Sequence, residues 1–127
     1  MTQRPRILVV DDEESMRNFV ECVLESAGYE VVGASSGPDA LECVERHPPF
    51  DLFILDVMMP QMEGDELSRR LHLRDPDAKV LYLTGNSDRL FAQRQVLWEN
   101  EAFLDKPVSL EGLLEGVSLM LSGHIGR

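Results

Sequence analysis

The stretch Phe50-Asp51-Leu52-Phe53-Ile54-Leu55-Asp56 leaves a chain little choice of fold. Its four successive apolar residues, Leu52 to Leu55, present no polar face, which suits a central parallel strand covered by helices on both sides. Asp56 then stands at the carboxyl end of that strand. In open α/β sheets, ligands and chemistry collect in the crevice beyond the carboxyl ends of the strands, which gives a lone acid there a functional reading. Turn chemistry, which favours Asp for local reasons, gives it an equally ordinary one.

The flanking sequence repeats the pattern. Arg6 to Val10 is a β-branched and leucine run that stops at Asp11-Asp12-Glu13-Glu14, so a first strand also delivers carboxylates at its carboxyl end. Asp12 is placed to cap the next helix, whose apolar stripe reads Met16, Phe19, Val20, Val23 and Leu24, and which Gly28 closes. A second strand spans Tyr29 to Ala34. Ser35-Ser36-Gly37-Pro38 turns into a helix carrying Ala40, Leu41 and Val44 that His47-Pro48-Pro49 ends. After the central strand, Met59 to Gly64 forms a loop before a third helix bearing Leu67 and Leu71, broken at Asp75-Pro76-Asp77. Val80 to Leu83 is a fourth strand, a fourth helix covers about 88–99, and Ala102-Phe103-Leu104 is a brief fifth strand. A last helix runs from about Ser109 to Leu121, with a frayed tail at 122–127. Strand and helix alternate five times, which predicts a doubly wound parallel sheet of five strands with right-handed crossovers.

At 127 residues the chain makes one domain with a proper core, expected over about 6–121. No apolar run approaches the ~20 residues of a membrane helix, and Met1 to Arg6 leads straight into a strand without an apolar signal segment, so a cytoplasmic protein with no membrane partner is expected. Cys22 and Cys43 fall in helical patterns and read as reduced core residues; without a CxxC pair, and with only His47, His72 and His124, a zinc or thiol-redox site is not supported. A net charge of −11 argues against direct nucleic-acid binding, because phosphate contacts need a basic surface. It favours metal cations or proteins with basic patches.

Collected at one sheet edge, the strand ends supply Asp11 and Asp12, Asp56, Thr84 and Lys106. Carboxylates crowded into one crevice repel one another, and a hard-oxygen cluster of this kind suits Mg²⁺. A carboxylate beside such an ion, with a hydroxyl and an ammonium opposite, can attack a phosphoryl group. The pair Asp11-Asp12, Asp56 with Met59-Pro60 and Gly64 beyond it, Thr84 followed by the small Gly85, and Phe103-Leu104-Asp105-Lys106-Pro107 together resemble the receiver domain of two-component response regulators. The resemblance covers about 6–121.

That resemblance implies a flavodoxin-like sheet in order 2-1-3-4-5. It implies that Asp56 accepts a phosphoryl group from a phosphohistidine on a sensor histidine kinase or phosphotransfer protein. Asp12, Asp56 and the Met58 carbonyl would bind Mg²⁺ directly, with Asp11 acting through water. Lys106 would pair with a phosphoryl oxygen, Thr84 would move toward it, and Phe103 would turn inward behind as the aromatic switch. A cis Lys106–Pro107 bond follows from the resemblance too, against a sequence prior of about 5%. The signal would pass through the surface of helix 4, strand 5 and helix 5 to a downstream output protein or domain, with a homodimer as one further option. Such a switch catalyses its own phosphorylation and turns over no separate substrate. Whether the chain is a stand-alone regulator or part of a larger regulator or hybrid kinase stays open.

Several residues depart from the pattern. Glu99-Asn100 replace a Gly-Ala pair common in receivers; Asn100 tolerates the left-handed conformation that would stop a helix, and Trp98 beside it reads equally as core or as a partner-facing anchor. In the last helix, Leu110, Leu113, Leu114, Val117 and Leu121 form a core stripe, while Gly112, Gly116 and Leu119 form a second, small-residue stripe. Two helical glycines cost roughly 2 kcal/mol relative to alanine, which suggests that a partner helix packs closely there. Met58 and Asn86 lie two residues beyond Asp56 and Thr84, and an apolar Met58 offers nothing to activate water, which predicts a long-lived phosphoaspartate. Two rivals remain. An Asp-nucleophile phosphatase needs a second acid where Met58 stands, and a degenerate receiver acting only as an interaction module has no reason to keep Asp12, Asp56, Thr84 and Lys106 together.

Overall fold

The computed structural model describes residues 4–47, 49–85 and 100–122. The helix expected over about 88–99, with Trp98, as well as Asn86 and the tail beyond 122, lie outside the described residues. In chain order the elements are β1 (Arg6–Val10), α1 (Glu14–Ser26), β2 (Glu30–Ala34), α2 (Gly37–Arg46), β3 (Leu52–Asp56), α3 (Gly64–Arg74), β4 (Val80–Thr84), β5 (Glu101–Asp105) and a last helix, Leu110–Ser122. The strands form one parallel sheet in order β2-β1-β3-β4-β5, the flavodoxin-like topology.

Alternation along the strands explains why β3 is buried throughout. Leu52 and Ile54 point to one face, with Ile7 and Val9 of β1, against Val20, Val23 and Leu24 of α1 and Leu113, Val117 and Met120 of the last helix. Phe53 and Leu55 point to the other, with Leu8 and Val10, against Ala40 and Cys43 of α2 and Leu67 and Leu71 of α3. Truncating Leu55, which is fully buried, to alanine costs about 2 to 5 kcal/mol. Local chemistry sets the ends of the elements. Ser36 caps α2 by accepting from the Asp39 N–H at 3.1 Å, and Asp39 returns the contact by accepting from the Ser35 N–H. Gly28 takes φ +96° just beyond α1, and Asn100 takes φ +73° just before β5.

Five local expectations give way. Asp12 does not cap α1; the N-cap position is Glu13, with no side-chain cap bond. Phe19 and Cys22 are exposed, because α1 buries the stripe Val20-Val23-Leu24 and both lie to its side. In the last helix Leu110 is exposed and Met120 takes its place, giving Leu113-Val117-Met120. Gly116 does not offer a partner surface. A Cβ there would lie 3.2 Å from Leu104 Cδ1 and 3.8 Å from Leu81 Cδ2, so this glycine lets the helix settle onto β4 and β5. Finally, β5 begins at Glu101, whose buried carboxylate accepts from Ser68 Oγ of α3 at 2.6 Å and from the Tyr82 hydroxyl of β4 at 3.0 Å. Those partners let a charged residue open a buried strand.

Candidate functional site

Parallel register carries the strand ends to a common edge. Val10 pairs with Leu55, Asp56 with Leu83 and Thr84 with Asp105, so Asp11, Asp56, Thr84 and Lys106 emerge side by side. Asp11, Asp12 and Asp56 each present a carboxylate oxygen, all within 4.8 Å of one another. Lys106 Nζ lies 3.2 Å from Asp11 Oδ2 and 3.6 Å from Asp56 Oδ1. The Lys106 N–H donates to the Thr84 carbonyl at 2.8 Å, which ties the lysine to the end of β4, and the Lys106–Pro107 bond is cis. Asp11, Asp56 and Thr84 are buried, while Asp12 is exposed at the mouth.

The loop after β3 closes tightly under Asp56. Gly64 N–H donates to the Val57 carbonyl at 2.8 Å, and a Cβ on Gly64 would fall 2.2 Å from the Asp56 carbonyl oxygen. Only glycine permits this backbone approach, so Gly64 sets where the Asp56 main chain sits. Met58 is 46% exposed beside it, and its N–H donates to the Asp56 carboxylate.

Electrostatics follow from that packing. Burial, and then the Asp11 carboxylate, push the Asp56 carboxyl up from 3.8 to about 6 against the pull of Lys106. For Lys106, burial disfavours the ammonium, but Asp56 and Asp11 together outweigh it, and the group titrates above its ordinary value. Among the described residues, the pocket is therefore one of excess negative charge set against the Lys106 ammonium. Its donors are all hard carboxylate oxygens, at a spacing and charge that fit Mg²⁺ with Asp11, Asp12 and Asp56 around it.

All seven residues singled out in the sequence fall within this edge or its support. Lys106 contacts Asp11 and Asp56 directly, and Asp12 lies within 4.8 Å of both carboxylates. Thr84 ends the neighbouring strand, and Met58 lies two residues past Asp56. Phe103 stands back from the cluster, half-buried on β5 opposite Tyr82 and packed against the core. Arg17, which no pattern in the sequence marks, also reaches the site. Its guanidinium donates to the Asp11 carbonyl at 2.8 Å, a contact across six residues that needs the β1–α1 loop in place to be visible.

The family model described as "Response regulator receiver domain" matches residues 7–118. The response regulator receiver protein CpdR of Brucella abortus is 35% identical over 116 residues, covering 91% of this chain and 96% of that protein. Sensor kinase CckA of the same organism is 37% identical over 91% of this chain, but the match spans only 12% of that protein. Among solved structures, the response regulator TrrA of Thermotoga maritima, described in complex with Mg²⁺-BeF, superposes with a TM-score of 0.81 at 32% identity, covering 92% of this chain and 99% of that one. With its fold, its acidic edge and a family match over nearly its whole length, the chain belongs to the response regulator receiver domain family.

Proposed function

We propose that this domain is a Mg²⁺-dependent phosphoryl acceptor in a His-Asp phosphorelay, with Asp56 as the acceptor. The observation that carries the reading is the convergence of three carboxylates within 4.8 Å, with the Lys106 ammonium 3.6 Å from Asp56 Oδ1. In the transfer, the P–N bond of a donor phosphoimidazole breaks and a P–O bond to an Asp56 oxygen forms, while the departing imidazole takes up a proton. Asp56 attacks as the carboxylate, the major form above its pKa of about 6.

Asp12, Asp56 and the Met58 carbonyl would hold Mg²⁺, with Asp11 acting through water; when bound, the ion neutralises charge on the phosphoryl oxygens. Lys106 pairs with a second phosphoryl oxygen. Thr84 turns toward the phosphoryl group, and Phe103 follows it inward, altering the surface of β5 and the last helix that an output protein, an output domain or a second copy reads. The donor is a sensor histidine kinase or a phosphotransfer protein in the cytoplasm. CpdR, named as a receiver protein, supports this reading in a relative spanned almost end to end. Among the described residues no helix is long and apolar enough to cross a membrane. The domain turns over no separate substrate, and the exposed, apolar Met58 leaves water unassisted beside the acyl phosphate.

The test is incubation with a small phosphodonor in Mg²⁺ or in excess chelator, followed by assay for an acid-stable, base-labile phosphate. Labelling that needs Mg²⁺ supports the proposal; labelling indifferent to the chelator, or none, refutes it.

A further inference from the structure

Asp11 has all four of its polar positions engaged. Its N–H donates to the Ala34 carbonyl at 3.2 Å, and its Oδ1 accepts from the Glu13 N–H at 2.9 Å. Its Oδ2 faces Lys106 Nζ at 3.2 Å, and its carbonyl accepts from the Arg17 guanidinium at 2.8 Å. The last of these is the one supplied by a long side chain from the helix beyond the acidic loop. A buried strand-end carbonyl needs a partner, and this one fixes the direction in which the main chain leaves Asp11 toward Asp12.

Arg17 is in turn held from behind. Glu21, one turn further along α1, places its Oε2 3.8 Å from Arg17 Nε. Both side chains lie over Gly33 of β2, where a Cβ would fall 2.2 Å from Glu21 Oε2 and 3.4 Å from Arg17 Cδ. Gly33 pairs with Val9, two residues before Asp11, so the bare strand backbone forms a floor that admits the Arg17–Glu21 pair next to the site.

We infer that Arg17, braced by Glu21 over Gly33, is a positioning residue that holds the Asp11-Asp12 loop in the geometry needed to bind Mg²⁺. The inference rests on the proposed function and extends it to a residue outside the acidic cluster. Arg17→Met removes the donor while keeping most of the side chain's apolar bulk. Arg17→Lys keeps a cation able to reach the carbonyl. Gly33→Ala leaves Arg17 intact but evicts the Glu21 carboxylate.

Calorimetric titration of Mg²⁺ into each folded variant, with melting temperatures taken without metal, tests this. Arg17→Met should weaken Mg²⁺ binding about 10-fold, in line with the loss of other groups that orient metal ligands. Arg17→Lys should recover most of that loss, and Gly33→Ala should fall between wild type and Arg17→Met. A merely structural arginine would lower the melting temperature and leave the affinity of the folded protein unchanged. Wild type that binds Mg²⁺ while Arg17→Met binds it within about twofold overturns the inference alone. Wild type that binds no Mg²⁺ overturns it together with the proposed function. If Arg17→Met does not fold, Gly33→Ala decides by the same comparison: equal affinity to wild type refutes the brace.

Discussion

Replacing Asp56 with asparagine should make the domain more stable at neutral pH in the absence of divalent ions. The carboxyl is buried beside Asp11, and its pKa stands at about 6 against an ordinary 3.8. A carboxyl whose folded-state pKa is raised binds its proton more tightly when folded. Its charged form therefore penalises folding fully above about pH 6, and the penalty vanishes as pH falls below the unfolded value near 4. The shift corresponds to roughly 3 kcal/mol, which screening at the open mouth of the cleft reduces to about 1 to 2 kcal/mol. For a domain of this size that is a rise of about 3 to 8 °C in melting temperature for Asp56→Asn at pH 7.5. At pH 4.5 the gain should shrink to about a third, because wild-type Asp56 is then largely protonated in the folded state. Added Mg²⁺ should close the gap from the other side, stabilising wild type more than the variant. Scanning calorimetry at both pH values, with and without Mg²⁺, measures all of this. An Asp56→Asn variant that is less stable than wild type at pH 7.5, or a difference that does not change with pH, refutes the argument that carboxylate crowding strains the site.

Three other outcomes are expected. Gly64→Ala should destabilise by about 1 to 3 kcal/mol in urea unfolding, because the atoms nearest its Cβ would be main-chain atoms of Asp56 and Val57 that cannot swing aside; full stability would mean the loop is looser than described. Gly116→Leu should lower stability by about 1 to 3 kcal/mol through collision with Leu104, whereas a variant as stable as wild type would return that face to a partner surface. The phosphoaspartate should persist for minutes or longer, as measured by decay of the phosphorylated mass, and a half-life of seconds would show that Met58 does not leave water unassisted.

The sheet was legible because its signals are local and repeated. An all-apolar Leu52–Leu55 run, strand ends marked by acids or Thr84, and helices closed by Gly28 or Asp75-Pro76 fix element type and order without tertiary knowledge. The site was legible for the same reason, since parallel topology converts strand ends into neighbours. Helix faces were read less well. Phe19 and Cys22 sit one residue from buried positions and Leu110 three from Leu113, and a rotation of 100° per residue separates core from solvent in a way apolarity alone does not resolve. Gly116 illustrates a deeper limit. A small residue signals close approach without saying which surface approaches, and here it is the domain's own β5. Arg17, Ser68 and Glu101 act through contacts 6 to 33 residues apart, which no local pattern encodes.

In the proposed relay one oxygen, that of Asp56, is the place where phosphate is received. Intact-mass measurement of wild type and Asp56→Asn after incubation with Mg²⁺ and a small phosphodonor tests this most directly. Wild type should gain a single phosphoryl mass that alkali removes, and the variant none; an unmodified wild type, or equal modification of both, would contradict it.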